Sequence, residues 1–264
     1  MRRFVGAIVA GLLMTACSGT AESDPAPGLP SDQPVFTVMS TGGMSPPVVQ
    51  ALDSPSLVIY GDGRVLTMVE PLDIQVVPDR YTVARIDPAT VASFVADAES
   101  DRLINSRTDF GTPRVTDLPS TWVTVQGANG LQQASAYAFD PQFETKLTEA
   151  QRSNRAQLRA LIDRAKALAA GASSSPYSPD RVVVHEFGSR PQEPPATVGW
   201  PGPDPSGFLT ASDKRRSVAC GEVAGDAAGV VYLAALANPG ARWLVGGASR
   251  TLAVNPIPLP GACS

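Results

Sequence analysis

The side chains in this chain that can act as a general base or a metal ligand are few. His185 is the only histidine, and His185-Glu186 opens like the helix of a zinc protease. The second ligand of that motif would stand where the chain has Ser189. One histidine without a Cys-x-x-Cys pair also lacks the usual ligands of structural zinc. The pattern predicts a strand residue at 185, with a catalytic base as the alternative, and neither a metal nor a cofactor.

Acidic side chains are the other candidates for chemistry. Three aspartates are interleaved with three arginines between 101 and 117: Asp101, Asp109 and Asp117 with Arg102, Arg107 and Arg114. Loop carboxylates bind calcium weakly, and a glycosidase needs two carboxyl groups roughly 5–9.5 Å apart. The spacing of these aspartates is not that of a calcium-binding loop, and the arginines compete with calcium for the carboxylates. We expect an exposed, salt-bridged loop, with a hydrolase that uses a pair such as Asp109 and Asp117 as the alternative.

The first 17 residues have the pattern of an export and lipidation signal. Arg2 and Arg3 precede an apolar run over 4–14, which is too short to span a bilayer core of about 30 Å. The sequence LMTAC, which ends at Cys17, resembles the lipobox of bacterial lipoproteins. The resemblance implies that 1–16 is a signal peptide and that Cys17 is lipidated. It places the protein on the cell membrane, facing the extracytoplasmic side. A plain secretory signal is the alternative.

Two cysteines remain if Cys17 carries lipid. Disulfides persist in exported chains, and Cys263 is the penultimate residue of a proline-rich tail. Such a tail would fray unless it were tied down. We therefore predict a disulfide between Cys220 and Cys263, with two separate thiols or a redox pair as the alternatives.

Charge and composition restrict the partners. The formal charge is −4, and the loss of the two arginines with the signal peptide makes it −6. A mildly acidic chain has no electrostatic footprint for nucleic acid, so no nucleic-acid partner is predicted. Residues 17–33 begin with the lipidated cysteine and continue as a Ser-, Pro-, Asp- and Gly-rich stretch, which predicts a disordered tether.

Three hairpins and three helices organise the rest of the chain, and the last hairpin is expected around Gly246-Gly247. Asp62-Gly63 and Asn129-Gly130 each lie between β-rich segments and predict tight turns. Apolar residues at helical spacing predict helices after Asp87-Pro88, over 148–170 and over 225–238. The arginines of the helix over 148–170 are expected on a solvated face, with phosphate binding as an alternative. They are Arg152, Arg155, Arg159 and Arg164.

These elements predict an α+β fold. An antiparallel sheet built from hairpins, with two or three packed helices, is expected over 34–171. A C-terminal α+β portion closed by the disulfide is expected over 179–264. The stretch 171–178 between them is predicted to be a linker. Hydrophobic residues make up 43 % of the chain, which is enough for a substantial core.

The order of the motifs resembles an uncharacterised family of secreted and lipid-anchored actinobacterial proteins. The resemblance rests on the YGDG turn at 60–63, the TDLPSTWVTV strand at 116–125, and a tail with a cysteine pair. It implies an exported α+β domain and transfers no activity. We expect a non-enzymatic, membrane-anchored module that binds an envelope protein, a cell-wall component or a small apolar ligand. The alternative is a carboxylate-dependent hydrolase acting on a cell-wall glycan or another extracellular polymer.

Overall fold

The structure is a computed structural model that describes residues 28–69, 77–188, 196, 198–211, 218–240, 242–259 and 263. The predicted signal peptide, Cys17 and most of the predicted tether lie outside these residues. Among the helices that the structure describes, none is long and apolar enough to cross a bilayer.

The N-terminal part folds into a seven-stranded antiparallel sheet. Its strands are β1 (Pro34–Gly42), β2 (Leu57–Tyr60), β3 (Arg64–Val69), β4 (Arg80–Arg85), β5 (Pro119–Gly127), β6 (Gly130–Tyr137) and β7 (Ser174–Pro176). Their order across the sheet is β6-β5-β1-β2-β3-β4-β7. Strand β7 lies in the predicted linker, where it pairs with β4.

The C-terminal part forms a six-stranded sheet in the order β10-β11-β8-β13-β12-β9. Its strands are β8 (Arg181–Phe187), β9 (Val198–Gly199), β10 (Thr210–Ala211), β11 (Ala219–Ala224), β12 (Trp243–Val245) and β13 (Ala248–Asn255). The β9–β12 pair is parallel. The helices are α1 (Pro47–Leu52), α2 (Pro88–Ser100), α3 (Glu149–Ala167) and α4 (Asp226–Ala237), with single 3-10 turns at Pro141–Phe143 and Pro205–Gly207. The predicted α+β class is confirmed.

The three predicted hairpins are present, and the turn of the second lies a residue earlier than expected. Gly63 has φ +87°, and a Cβ there would collide with the carbonyl oxygen of Ile86, so glycine is required. In the second hairpin Gly127 pairs with Gly130, which leaves Ala128 and Asn129 as the turn. The Glu99 carboxylate accepts hydrogen bonds from both turn amides, at 3.2 and 3.0 Å.

Side chains cap the starts of two predicted helices. Asp87 accepts a hydrogen bond from the amide of Ala89, and Pro88 takes the first helical position of α2. Thr148 and Gln151 form a reciprocal capping box at the start of α3. Helix α3 ends at Ala167, three residues before the predicted end at 170.

The prediction that the arginines of α3 lie in solvent is wrong for Arg155, whose exposed fraction is 0 %. The arginine lies on the same helix face as Leu158 and Ile162, which are buried. Its Nε donates to Glu144 at 2.9 Å, and its other nitrogens donate to the carbonyl oxygens of Phe110, Tyr137 and Ala138. These partners replace the water that a buried guanidinium loses.

Some local structure around prolines and small residues was not predicted. The short helix α1 is one such element, and Pro47 is its first residue, because proline suits the first turn of a helix. The end of the predicted tether contacts the first sheet. Leu29 packs on its core, and the amide of Gly61 donates to the Pro30 carbonyl at 3.2 Å.

Three apolar clusters hold the layers together. The largest contains residues of the first sheet, α2 and α3, with Phe36 and Phe94 in edge-to-face contact at 5.1 Å. The second contains residues of α4 and the second sheet. The third joins residues of β2, β3 and β4 to Ile257, in the segment that follows β13. The opposite face of the β2-β3-β4 region is therefore covered by the C-terminal part of the chain.

Candidate functional site

Two arginines lie directly opposite each other in the first sheet. Arg64 on β3 is paired in register with Arg85 on β4. Side chains of directly paired residues project from the same face, with Cβ atoms about 4.5–5.5 Å apart, and like charges at that spacing repel. This pair concentrates positive charge beside the cluster that joins the two sheets.

The two guanidinium groups differ in their partners. Arg64 Nε donates to both Asp62 oxygens, at 2.8 and 3.1 Å, and Nη2 donates to the Ser31 carbonyl. Its guanidinium also stacks over the Tyr60 ring at 4.2 Å. Arg85 is exposed, and within the described ranges no hydrogen bond or ion pair engages its side chain. One fixed charge therefore lies beside one that is available to a ligand.

Both arginines line a cavity of about 600 Å³. The rest of its wall comes mainly from β7 and the segment that crosses from β7 to β8. These lining residues are Val83, Ala172, Ser173, Ser175, Tyr177, Ser178 and Asp180. Small-molecule sites are clefts or cavities of about 300–1,000 Å³, and this cavity is within that range.

The register of β4 and β7 positions this wall. Val83 is paired with Ser175. Because Val83 and Arg85 are two positions apart on β4, Ser175 lies on the same face of the sheet as Arg85. The Tyr177 amide donates to the Tyr81 carbonyl at 2.9 Å, and the two rings are in edge-to-face contact at 6.3 Å. The chain then turns through Asp180 into β8. Sheet pairing therefore fixes the serine and tyrosine positions.

The tyrosines of this region stay neutral at ordinary pH. Burial raises the pKa of Tyr177 and of Tyr60, and for Tyr60 the nearby Arg64 opposes the shift without reversing it. The ionisable side chains in the cavity wall are then two cationic arginines, the neutral Tyr177 phenol and the Asp180 carboxylate. This combination can bind an anionic group and, beside it, hydrogen-bond donors.

The predicted strand position of His185 is confirmed, because it lies in β8 opposite Cys220 and Ala253. The residue does not line the cavity. Among the residues that the structure describes, no three His, Cys, Asp or Glu side chains are grouped so that they could hold a metal ion.

None of the three candidate aspartates lines the cavity. Asp101 pairs with Arg164 at 2.9 Å. Asp109 accepts from Gln151 Nε2 at 3.0 Å and from the Gly111 amide at 2.8 Å, and these bonds lower the pKa of Asp109. Asp117 is exposed and has φ +63°.

The predicted disulfide is present. Cys220 on β11 is bonded to Cys263, and their Cα atoms are 5.4 Å apart. Because β11 pairs with β8, the bond ties the end of the chain to the second sheet. Thr210 on the neighbouring β10 also donates from Oγ1 to the Cys220 carbonyl at 3.2 Å.

Sequence reasoning did not identify the arginine pair or the cavity. Arg64 follows the predicted YGDG turn, but Arg85 is on a strand that reaches it only through sheet pairing. Tyr177 lies in the predicted linker and Asp180 follows it, and this stretch carries no periodic pattern. Comparison of the chain with protein-family models, with curated proteins and with solved structures gives no match.

Proposed function

We propose that this protein is a lipid-anchored, extracytoplasmic binding module whose cavity takes a small polar ligand that carries an anionic group. The observation that carries the proposal is the Arg64–Arg85 pair in the wall of the cavity beside β3, β4 and β7. The proposed anchor is the lipid on Cys17.

The arginine pair supports an anionic ligand on energetic grounds. Asp62 already occupies the Nε side of Arg64, whereas the Arg85 guanidinium keeps its hydrogen-bonding edge. A carboxylate or phosphate between the two groups would replace repulsion with charge-assisted hydrogen bonds, which are the stronger kind in proteins. Asp62 balances the charge of Arg64, so Arg85 is the arginine with which a further negative group would pair.

The rest of the wall narrows the class of ligand. Three serine hydroxyls, the Tyr177 phenol and the Asp180 carboxylate favour a polar ligand over a small apolar one. A ligand with a negative group and a separate ammonium or hydroxyl donor satisfies both Arg85 and Asp180. Cell-wall sugars and short peptides that carry free carboxylates have this chemistry, and they are present on the extracytoplasmic side.

Calorimetric titration of the exported chain tests this binding. The probes are soluble carboxylate-bearing fragments of the digested cell wall, with inorganic phosphate as a bare anion. We expect Arg85→Gln to weaken binding of the fragments by at least about tenfold, since a charge-assisted hydrogen bond contributes about 1.5–3 kcal/mol. Arg114→Gln is the matched control, because Arg114 is exposed and does not line the cavity. Equal affinity of wild type and Arg85→Gln would contradict the proposal.

Fractionation tests the proposed anchor separately. Two or three acyl chains, at about 0.8 kcal/mol per buried CH₂, hold a protein on a membrane nearly permanently. Cys17→Ala should therefore yield a soluble form or an unprocessed precursor. A variant that still partitions with membranes and migrates like the wild type would disprove lipidation.

A further inference from the structure

Strand β6 is a long strand at the end of its sheet, and among the residues that the structure describes β5 is its one neighbour. It covers eight residues, Gly130–Tyr137, with the sequence GLQQASAY. The strand at the other end, β7, has three residues and includes Pro176. In the second sheet, as far as the structure describes it, the terminal strands β10 and β9 have two residues each.

Natural sheets usually protect a long edge with charged residues, proline, a bulge or a covering segment. Strand β6 contains neither a charged residue nor a proline. Its pairing with β5 runs without interruption from Gly127–Gly130 to Ser120–Tyr137. The edge therefore presents a regular row of backbone groups, which is the surface that accepts another strand.

The register identifies which backbone groups face outward. In a two-residue hairpin the residues that flank the turn, here Gly127 and Gly130, form a hydrogen-bonded pair. Alternation then directs the N–H and C=O groups of 132, 134 and 136 toward β5. Those of Leu131, Gln133 and Ser135 point away from the sheet. The side chains of these three residues are exposed, Leu131 by 66 %.

The charged group at the hairpin turn is already engaged. The Glu99 carboxylate binds the amides of Ala128 and Asn129, so it is directed at the turn. Toward the other end of β6, the Tyr137 hydroxyl donates to the Val115 carbonyl at 3.0 Å, and this bond anchors that end to the preceding loop. The stretch 131–135 between these contacts is neutral and regular.

We propose that β6 pairs in antiparallel fashion with β6 of a second copy of this chain, about a two-fold axis at Gln133. Gln133 then lies opposite its symmetry mate, and Leu131 lies opposite Ser135 of the other copy. All three outward-facing residues form hydrogen-bonded pairs in this register, which gives about six backbone hydrogen bonds. The contact is isologous, so it closes as a dimer.

A second copy fits this edge better than an unrelated peptide. Peptide-binding edges gain specificity from pockets for alternate side chains or from charge. The outward row here offers Leu, Gln and Ser, and the exposed Leu131 would be covered by the opposing strand. A neutral strand meets its own copy without repulsion, and every outward donor meets an outward acceptor.

Sedimentation equilibrium of the exported chain, from residue 18 onward, tests the proposal through a charge swap. Gln133→Lys and Gln133→Glu each place like charges opposite one another across the axis, which costs up to about 1 kcal/mol, or about fivefold in the dimer constant. Each variant alone should therefore dissociate more readily than the wild type. An equimolar mixture should form a heterodimer at least as stable as the wild-type dimer.

Gln142→Lys is the matched control, because Gln142 is exposed and lies outside the edge. It should leave the wild-type dimer constant unchanged. Circular dichroism and the melting temperature of each variant check that the fold is intact. A wild type that remains monomeric across the accessible concentration range would overturn the proposal. So would a dimer that neither variant weakens, or variants that do not associate on mixing.

Discussion

The two halves of the molecule are stabilised in different ways. The first sheet packs α2 and α3 on one face, and its core contains large side chains such as Phe36, Phe94 and Leu158. The second sheet packs the single helix α4, and its final segment is fastened by the Cys220–Cys263 bond. A small core leaves less stabilising burial. The comparison indicates that the disulfide supplements apolar packing in the half whose sheet is covered by fewer helices.

The halves also differ in how they bury polar groups. The first half buries a charged pair, Arg155 with Glu144. Desolvation raises the pKa of Glu144, but hydrogen bonds from Arg159 and Arg155 outweigh it and hold that pKa below its ordinary value. In the second half the buried Asn255 is uncharged, and its amide hydrogen-bonds to Ser54 and to the Asp53 carbonyl.

The largest effect is expected where the first half depends on its buried charge. Arg155→Leu removes one of the two arginines that donate to Glu144 and the donor to three carbonyl oxygens, which should lower the free energy of unfolding by about 3–5 kcal/mol. Urea denaturation measures this loss. Arg164→Leu, whose native ion pair is exposed, should cost less than about 1 kcal/mol. Equal losses in the free energy of unfolding would show that the buried ion pair stabilises the protein no more than the exposed one.

Removal of the disulfide probes the second half. Cys220→Ser with Cys263→Ser opens a link between residues 43 apart, and the chain-entropy model assigns such a loop about 4 kcal/mol, less any native strain. Thermal unfolding and hydrogen exchange measure the change. We expect exchange to increase first in β11 and β8. An equal increase throughout the first sheet would contradict separate stabilisation of the halves.

A substitution at the first hairpin turn should be less costly. Gly63→Val forces a β-branched residue into φ +87° and into contact with the Ile86 carbonyl. We expect the free energy of unfolding to fall by about 2–3 kcal/mol, as measured by chemical denaturation. Gly207→Val is the control, because a Cβ there meets nothing within 4 Å. An unchanged denaturation midpoint for Gly63→Val would mean that the turn backbone can accommodate the valine side chain.

The smallest effect is expected at the contact between the halves, where a substitution should raise the free energy of unfolding instead of lowering it. Burial, with a contribution from Asp53, raises the pKa of Asp79 from 3.8 to about 6. The backbone oxygen of Asp79 accepts a hydrogen bond from Tyr232 of α4 at 2.9 Å. Between these two pKa values the folded state binds more protons than the unfolded state, so stability falls as pH rises from about 4 to above 6.

Asp79→Asn removes this penalty. It should stabilise the protein at pH 7 by about 1–3 kcal/mol and flatten the pH dependence across that interval. Denaturation at a series of pH values provides the measurement. Asp163→Asn, at an exposed position, should leave the pH profile unchanged. A destabilised Asp79→Asn variant would show that the carboxylate has a favourable partner at neutral pH.

Predictions from the sequence succeeded where the signal was local. The start of α2 after Asp87-Pro88 and the tight turn at Asp62-Gly63 both depend on a few adjacent residues. The disulfide followed from the number of cysteines and the position of Cys263 near the end of the chain. Strands β9, β10 and β11 were missed because they are short or rich in small residues, so their pairing depends on neighbours distant in sequence.

The tertiary structure alone decided which charges are buried and which meet. Four arginines of α3 look alike in sequence, yet only the position of Glu144 and of the neighbouring carbonyl groups makes Arg155 a core residue. Arg64 and Arg85 are separated by 21 positions in the chain and become neighbours through the β3–β4 register. The sequence by itself determined the elements and their caps, because those depend on interactions within one or two turns. The candidate site required the sheet, because its charges come together only when distant strands pair.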